Sequence, residues 1–246
     1  MARKVRNIDA LLRQWDYQPG QPIVRRATGS DQRDLLQIRV DMGVLQMEVT
    51  DRPDGHRPEG FPTYYEYLVA ASFEEGPDFE LDEERCSEID REFYQFYHRR
   101  IAWLTLKEFG NAVADAEHSL RLMDFSSANA PDAQWALLHE QYRPFVMFHR
   151  TQAAALSELE STEPRTAVEI LDEGLAALEH VFEEHDAADR FDDDLFVSKL
   201  REMRTSVMEH YEIGPTLAEQ LANAIAAEQY ELAAQLRDQL GESDQN

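Results

Sequence analysis

The feature that most constrains the fold is the helical pattern that fills the chain from Arg85 onward. Long segments rich in Ala, Leu, Glu and Arg alternate there with short breakers that contain Pro, Gly, Ser, Asn or Asp. Residues of the first group favour helices, and breakers of this composition end them. The breakers lie at residues 126–131, 161–164, 186–194 and 213–216. The sequence therefore predicts a mainly α protein of stacked antiparallel helical hairpins.

The first 62 residues follow a different pattern, which predicts a short β element. Two apolar runs flank residues 28–31, and in the second run Leu36, Ile38 and Val40 alternate with polar residues. Alternation with a period of two predicts a strand that buries one face. The turn residues between the two runs complete the pattern of a β-hairpin.

A helical spacing competes with this alternation over residues 35–50. It runs through Leu35, Ile38, Met42, Leu45 and Val49. Spacings of three and four residues place side chains on one face of a helix. The sequence alone leaves strand or helix open in this segment, and we expect the hairpin to lead into a helix near residues 43–50.

Residues 51–62, DRPDGHRPEGFP, are predicted to form a loop because three prolines and two glycines interrupt any regular element. The polar side chains in and near this loop are Arg39, Asp41, Arg52, Asp54 and His56. Such a cluster has two interpretations. It binds a small anionic ligand or a peptide terminus, as in an enzyme or a ligand-binding protein. Alternatively, its Arg and Asp side chains hydrogen-bond the loop backbone and form a rigid turn.

Two segments of the helical region share a pattern of small and apolar residues. Phe109–Val113 precedes Ala116 and Leu120, and Pro164–Val168 precedes Leu171 and Leu175. Each segment resembles the second helix of a tetratricopeptide unit, in which a small residue lets two helices approach closely. The resemblance places Phe96 and Trp103 on the first helix of one unit, and Ala154 and Ala155 on that of the next.

The chain departs from the tetratricopeptide pattern in two ways. The two units are 55 residues apart, from Ala112 to Ala167, whereas that family repeats every ~34 residues. Arg99 and Arg100 occupy positions where the family prefers an apolar residue and a small one. The resemblance therefore implies a domain of stacked hairpins over residues 63–212, preceded by an N-terminal segment of residues 1–62.

The C-terminal segment predicts two short helices that must pack on each other. Leu217, Leu221 and Ile225 recur every four residues on the first helix, and residues 228–230 interrupt the pattern. Ala233, Ala234, Leu236 and Leu240 then mark a second helix. Helices of about ten residues are unstable alone. Thr216 is a suitable N-cap for the first helix, as Ser87 is for the helix that follows Arg85.

Eleven positions of this segment resemble the UVR motif, which occurs in the UvrB and UvrC subunits of the bacterial excision nuclease. They are Leu221, Ala224, Glu228, Tyr230, Glu231, Ala233, Ala234, Leu236, Arg237, Asp238 and Leu240. The resemblance implies a helical hairpin over residues 213–242 that binds another UVR hairpin, and a protein contact without chemistry. The predicted partner-binding residues are Leu217, Leu221, Ile225, Tyr230, Ala233, Ala234, Leu236, Arg237, Asp238 and Leu240.

The charge of the chain bears on its partners. Its formal net charge of −25 disfavours nucleic acid and anionic membranes, because both are bound mainly through Lys and Arg. The single cysteine, Cys86, and the lack of an apolar stretch of ~18 residues favour a cytoplasmic protein. The sequence contains neither a G-x-x-x-x-G-K-[ST] loop nor histidines at metal-ligand spacing.

We therefore expect a non-enzymatic adaptor or scaffold protein of bacterial type, without cofactor or metal. Its expected partner is a protein bound by the C-terminal hairpin, and a second copy of the chain is one option. The UVR resemblance connects it either with nucleotide excision repair or with the protease-chaperone stress response. The alternative is a ligand-binding or enzymatic protein that uses the cluster around residues 51–62.

Overall fold

The structure of the chain, a computed structural model, describes residues 7–243, without the side chains of Ala218 and residues 240–243. It is mainly helical, as the sequence predicts, with a small antiparallel sheet near the N-terminus. The chain divides into two compact units, Met1–Ser157 and Glu158–Asn246, called unit 1 and unit 2 below. The predicted division into residues 1–62, 63–212 and 213–242 stays a prediction.

The described part of unit 1 starts with a short helix and a three-stranded sheet. Helix α1 covers Asp9–Gln14. The strands are β1 (Ile23–Thr28), β2 (Asp34–Val40) and β3 (Gly43–Glu48), and they pair antiparallel in the order β1-β2-β3. The predicted hairpin is present as β1 and β2, and a third strand extends it.

The expectation of a helix near residues 43–50 is wrong, because this segment forms β3. Val40 pairs with Gly43, so Asp41 and Met42 form a two-residue turn. Met42 is 88% exposed. The residues of the helical spacing therefore do not form one buried face. Met47 is buried instead, since the period of two continues from β2 into β3.

Five helices follow the sheet. They are α2 (Tyr64–Glu75), α3 (Glu83–Leu106), α4 (Phe109–Ala128), α5 (Ala133–Glu140) and α6 (Arg143–Glu160), the last of which crosses the boundary between the units. Thr63 caps α2 through its hydroxyl group. Asp82, not Ser87, caps α3, because its carboxylate accepts a hydrogen bond from the Arg85 amide at 2.8 Å. Residues 51–62 are irregular apart from a short 3-10 turn at Pro58–Gly60.

One hydrophobic cluster of unit 1 lies between the sheet and the pair formed by α3 and α4. Leu36 and Ile38 of β2 and Met47 of β3 pack with Trp103 of α3 and Ala112 of α4. Trp103 and Ala112 are two of the residues that carry the tetratricopeptide resemblance. That resemblance stays a prediction, but these two residues do share one core.

Arg99 and Arg100, the two departures from the tetratricopeptide pattern, are both buried in unit 1. Arg99 bonds the Asp115 carboxylate on α4 at 2.7 Å. Arg100 donates to the Ser119 hydroxyl at 3.1 Å and to Nδ1 of His149 at 3.3 Å. A buried guanidinium is stable only when its N–H groups find partners, which are a carboxylate for Arg99 and neutral groups for Arg100. The two arginines therefore connect α3 with α4 and α6 where the family would have apolar and small residues.

The described part of unit 2 adds four α-helices. They are α7 (Pro164–Glu184), α8 (Leu195–His210), α9 (Leu217–Ala226) and α10 (Tyr230–Ser243). Helix α7 packs with α8, and α9 packs with α10. Among the described residues, no helix is long and apolar enough to cross a membrane.

Candidate functional site

The C-terminal hairpin begins with a complete capping box. The Thr216 hydroxyl accepts from the Glu219 amide at 3.3 Å, and the Glu219 carboxylate accepts from the Thr216 amide at 2.8 Å. The predicted N-cap role of Thr216 is thus confirmed. Two of the amides that the first turn of α9 leaves unpaired are satisfied locally, which fixes where the helix starts.

A tight turn joins α9 to α10. Glu228 adopts a left-handed conformation with φ of 57°, which is uncommon for a residue other than glycine. The Gln229 amide donates to the Ala224 carbonyl at 2.8 Å, and the Glu228 amide donates to the Ile225 carbonyl at 3.0 Å. These bonds close the end of α9 and reverse the chain, so the two helices lie antiparallel.

The interior of the hairpin is made of small and apolar side chains. Ala224, Ala233 and Leu236 are buried, and Leu217 and Leu221 pack against them. The alanines leave room for the two helix backbones to approach each other. Four of these five residues, all except Ala224, are predicted partner-binding residues, and in this structure they hold the hairpin together.

Large apolar side chains remain outside this interior. Ile225 is 55% exposed and Tyr230 is 69% exposed. Ala234 is exposed as well, and Leu232, which the sequence analysis did not select, is 43% exposed. Leu232 does not share the helical spacing of Ala233 and Leu236, so the sequence pattern does not indicate it.

Ile225 and Tyr230 lie on the same open side of the hairpin. Successive residues of a helix are rotated by about 100° around its axis. Ile225 is therefore rotated away from the buried side chains of α9. Tyr230 is rotated away from the buried side chains of α10 in the same direction. Because the helices are antiparallel, the same sense of rotation directs both side chains to one side. Leu232 is displaced in the opposite sense and lies on the other side. We call the surface that contains Ile225, Tyr230 and Ala234 the Tyr230 face.

Arg204 of α8 ties the hairpin to the rest of unit 2. Its guanidinium bonds Glu219 of α9 at 2.7 Å and Asp172 of α7 at 2.5 Å. The hydrogen bond with Asp172 raises the pKa of Arg204. Burial opposes ionisation of Glu219, but the hydrogen bonds from Thr216 and Arg204 outweigh it and lower the pKa of Glu219. The carboxylate that caps α9 is therefore also an anchor, and no local sequence pattern indicates this second role.

The remaining predicted hairpin residues are placed as follows. Arg237 and Asp238 are neighbours on the exposed surface of α10 and pair with each other at 3.0 Å. This pairing leaves the Arg237 guanidinium close to a carboxylate of its own helix. The side chain of Leu240 lies outside the described residues.

The alternative cluster near residues 51–62 is brought together only in part. Arg52, Asp54 and His56 line one cleft of unit 1. Arg39 and Asp41 are not among its lining residues. Arg39 instead donates to the backbone carbonyls of Trp15 at 2.8 Å and of Gly43 at 3.0 Å, which makes it part of the sheet turn.

The side chains that commonly carry chemistry form no reactive centre within residues 7–243 that these contacts reveal. Residues 7–243 contain no group of three or more His, Cys, Asp or Glu side chains that could hold a metal ion. Cys86 is a buried free thiol, and burial raises its pKa. A thiol of this kind is a poor nucleophile, because the thiolate is the reactive form.

Comparison with known proteins finds a match in the C-terminal segment of the chain. A family model described as the UvrB/uvrC motif, UVR, matches residues 215–245. No curated protein and no solved structure matches the chain. The UVR resemblance of the C-terminal hairpin is thus confirmed at the level of the motif.

Proposed function

We propose that this chain is a non-enzymatic adaptor or scaffold protein that binds a protein partner through the Tyr230 face of its C-terminal hairpin. The observation that carries the proposal is the exposure of Ile225 and Tyr230 on one side of a hairpin that matches the UVR model. The interior of the hairpin is already formed by other residues, so these two side chains are available to a partner.

The chemistry of the Tyr230 face suits a protein contact. A buried aliphatic or aromatic side chain contributes about 1.5–3 kcal/mol relative to an exposed one. Tyrosine is among the residues that dominate interface energies, because its ring is large and rigid and its hydroxyl group can still bond at the rim. The adjacent Ala234 leaves space for a partner helix to approach α10 closely.

The proposed partner is a UVR-type hairpin on a different protein. Residues 215–243 contain the carboxylates Glu219, Glu228, Glu231, Asp238 and Glu242 and a single basic residue, Arg237. Two copies of this hairpin would bring like charges together, and the one guanidinium already pairs with Asp238. A partner with basic residues around an apolar patch meets no such repulsion. Self-association of two copies is the alternative result of the experiment below.

The cellular setting follows from the same resemblance. UVR hairpins occur in the excision nuclease and in protease chaperones and their adaptors, so we place the protein in one of these two bacterial systems. The net charge of −25 supports a protein partner over direct contact with DNA. The buried free thiol of Cys86 supports a cytoplasmic location.

The test is direct binding of the purified chain to each UVR-bearing protein of its own organism. We expect one of them to bind, and we expect Ile225→Ser with Tyr230→Ser to weaken that binding by roughly tenfold or more. Phe73→Ser is the matched control, because Phe73 is 84% exposed and lies in unit 1. Circular dichroism verifies that each variant keeps its helices.

Two results would contradict the proposal. One is equal binding by the hairpin variant and by Phe73→Ser. The other is the absence of binding to every protein of the set, together with a monomeric mass in light scattering. A dimeric mass that the hairpin variant abolishes would identify a second copy as the partner and would overturn the charge argument.

A further inference from the structure

Unit 1 contains a cleft that the hairpin proposal does not use. It has a volume of about 620 Å³ and lies between the 51–62 loop, the start of α2 and the start of α3. Five carboxylates and three guanidinium groups line it, together with the tyrosines Tyr64 and Tyr67. The cleft is thus polar, aromatic and richer in negative than in positive groups.

The three guanidinium groups of the cleft are already paired within the protein. Arg52 bonds Glu88 at 2.8 Å, and Arg91 bonds the same carboxylate at 3.0 Å. Arg85 is paired with Glu75. An incoming anion would therefore have to compete with an internal carboxylate for each of these groups.

Two carboxylates of the cleft are not paired. Glu59 and Glu84 both line it, and neither side chain makes a hydrogen bond or an ion pair within the described part of the chain. The charge that remains for a ligand after the internal pairs are formed is therefore negative. This reverses the expectation of an anionic ligand for the Arg52 loop.

The helix termini at the cleft do not restore an anion site. The first turn of a helix attracts anions because its amides are unpaired. The buried carboxylate of Glu92 already accepts from the amides of Tyr64 at 2.7 Å and Tyr65 at 3.0 Å at the start of α2. Asp82 accepts from the Arg85 amide at the start of α3. Both termini are thus occupied by carboxylates of the protein itself.

The tyrosines supply the second, independent feature. The rings of Tyr64 and Tyr67 lie 5.4 Å apart with an angle of 43° between their planes. Tyr64 is only 7% exposed, yet its hydroxyl group has no hydrogen-bond partner among residues 7–243. Burial raises the pKa of this hydroxyl group, so it stays protonated and neutral. The hydroxyl group itself is not enclosed, and Tyr64 lines the cleft, so a ligand that enters the cleft can bond it.

We propose that this cleft binds an organic cation that carries a primary ammonium or a guanidinium group. Glu84 and Glu59 neutralise the charge, the Tyr64 hydroxyl accepts a hydrogen bond from an N–H group, and the Tyr67 ring contacts the cation through its face. A free polyamine and a lysine or arginine side chain of a peptide both present this chemistry.

The experiment is calorimetric titration of the full chain with spermidine and, separately, with a capped peptide that has one central arginine. We expect one of the two to bind, and the stronger of them identifies the source of the cation. Tyr67→Leu is expected to weaken binding by roughly threefold to tenfold through loss of the cation–aromatic contact. Tyr64→Phe keeps the ring, removes only the hydroxyl group, and is expected to weaken binding without loss of helix.

Glu84→Gln and Glu83→Gln form a matched pair of variants. They are adjacent exposed residues in the first turn of α3 and change the charge equally, but only Glu84 lines the cleft. We expect Glu84→Gln to weaken binding and Glu83→Gln to leave it nearly unchanged. Three results would overturn the proposal: no heat from either cation at millimolar concentration, equal effects of the two variants, or binding of citrate that Glu84→Gln strengthens.

Discussion

The buried pair of Arg99 and Asp115 offers a quantitative test of what stabilises unit 1. Each residue is 4% exposed, and the guanidinium bonds the carboxylate at 2.7 and 3.0 Å. Arg99 also donates to the backbone carbonyls of Glu48 at 3.2 Å and Asp51 at 2.7 Å. One side chain therefore connects α3 with α4 and with the end of β3.

The expected losses of stability follow from what each substitution leaves behind. Asp115→Leu leaves a buried guanidinium without its carboxylate, which should cost about 3–5 kcal/mol. Arg99→Met leaves a buried carboxylate and two unpaired carbonyls and should cost at least as much, about 3–5 kcal/mol or more. The double variant removes both charges and leaves only the carbonyls, so we expect it to lose about 1–3 kcal/mol.

Urea unfolding followed by tryptophan fluorescence measures these losses in unit 1 alone. The chain has three tryptophans, and all of them lie within Met1–Ser157. Circular dichroism at the same urea concentrations reports the helices of both units. If the two single losses simply add in the double variant, the charges are not coupled and our account of the pair is wrong.

Three further predictions concern other contacts. Arg100→Met should cost less than half as much as Arg99→Met in the same urea experiment, because Arg100 bonds only neutral groups and burial already lowers its pKa to about 10. Equal losses would refute this. Thr216→Ala should cost about 1 kcal/mol at the start of α9, seen as faster hydrogen exchange of its first amides, with the amides of α4 as the internal control. Arg204→Met should accelerate exchange in α9 at pH 7, and the difference from the native chain should shrink as the pH falls. The sign follows from the lowered pKa of Glu219: its contribution is complete above the usual value of 4.5 and is lost as the pH falls through the folded-state pKa. A difference that persists in acid would contradict this role of Glu219.

The parts of the structure that the sequence predicted correctly depend on short-range patterns. Thr216 caps α9 through residues only three positions away, and the buried stripe of the hairpin repeats every three or four residues. Strands β1 and β2 are likewise set by local alternation around a turn. All the residues that define such a pattern lie within about one helix or strand, so a single sequence is enough to find it.

The prediction failed at β3 because two local patterns competed there. The spacing through Met42 predicts a helix as well as the alternation predicts a strand. Only the pairing of Val40 with Gly43 decides between them, and this pairing requires β2 to be present as a template. The exposure of Met42 is a consequence of that pairing and cannot be read from its neighbours.

The polar contacts of the candidate sites depend on residues far apart in the chain. Arg99 finds its carboxylate 16 positions later, and Arg204 bonds Asp172, 32 positions earlier. In the sequence Arg99 looks like a departure from a helical family and Arg204 like an ordinary surface residue. The cleft at Tyr64 combines one loop with the N-terminal halves of two helices, so no single segment indicates its charge.

The link from Arg204 to Glu219 has a consequence for how fast a partner can engage. A hairpin on a flexible linker adopts many orientations, and most of its encounters with a partner do not lead to binding. Here one guanidinium holds the first turn of α9 against α8, so the tilt of Tyr230 relative to α8 is set during folding and not at the moment of contact. Loss of the Arg204–Glu219 ion pair would therefore slow association with a partner, although every residue of the Tyr230 face would remain in the chain.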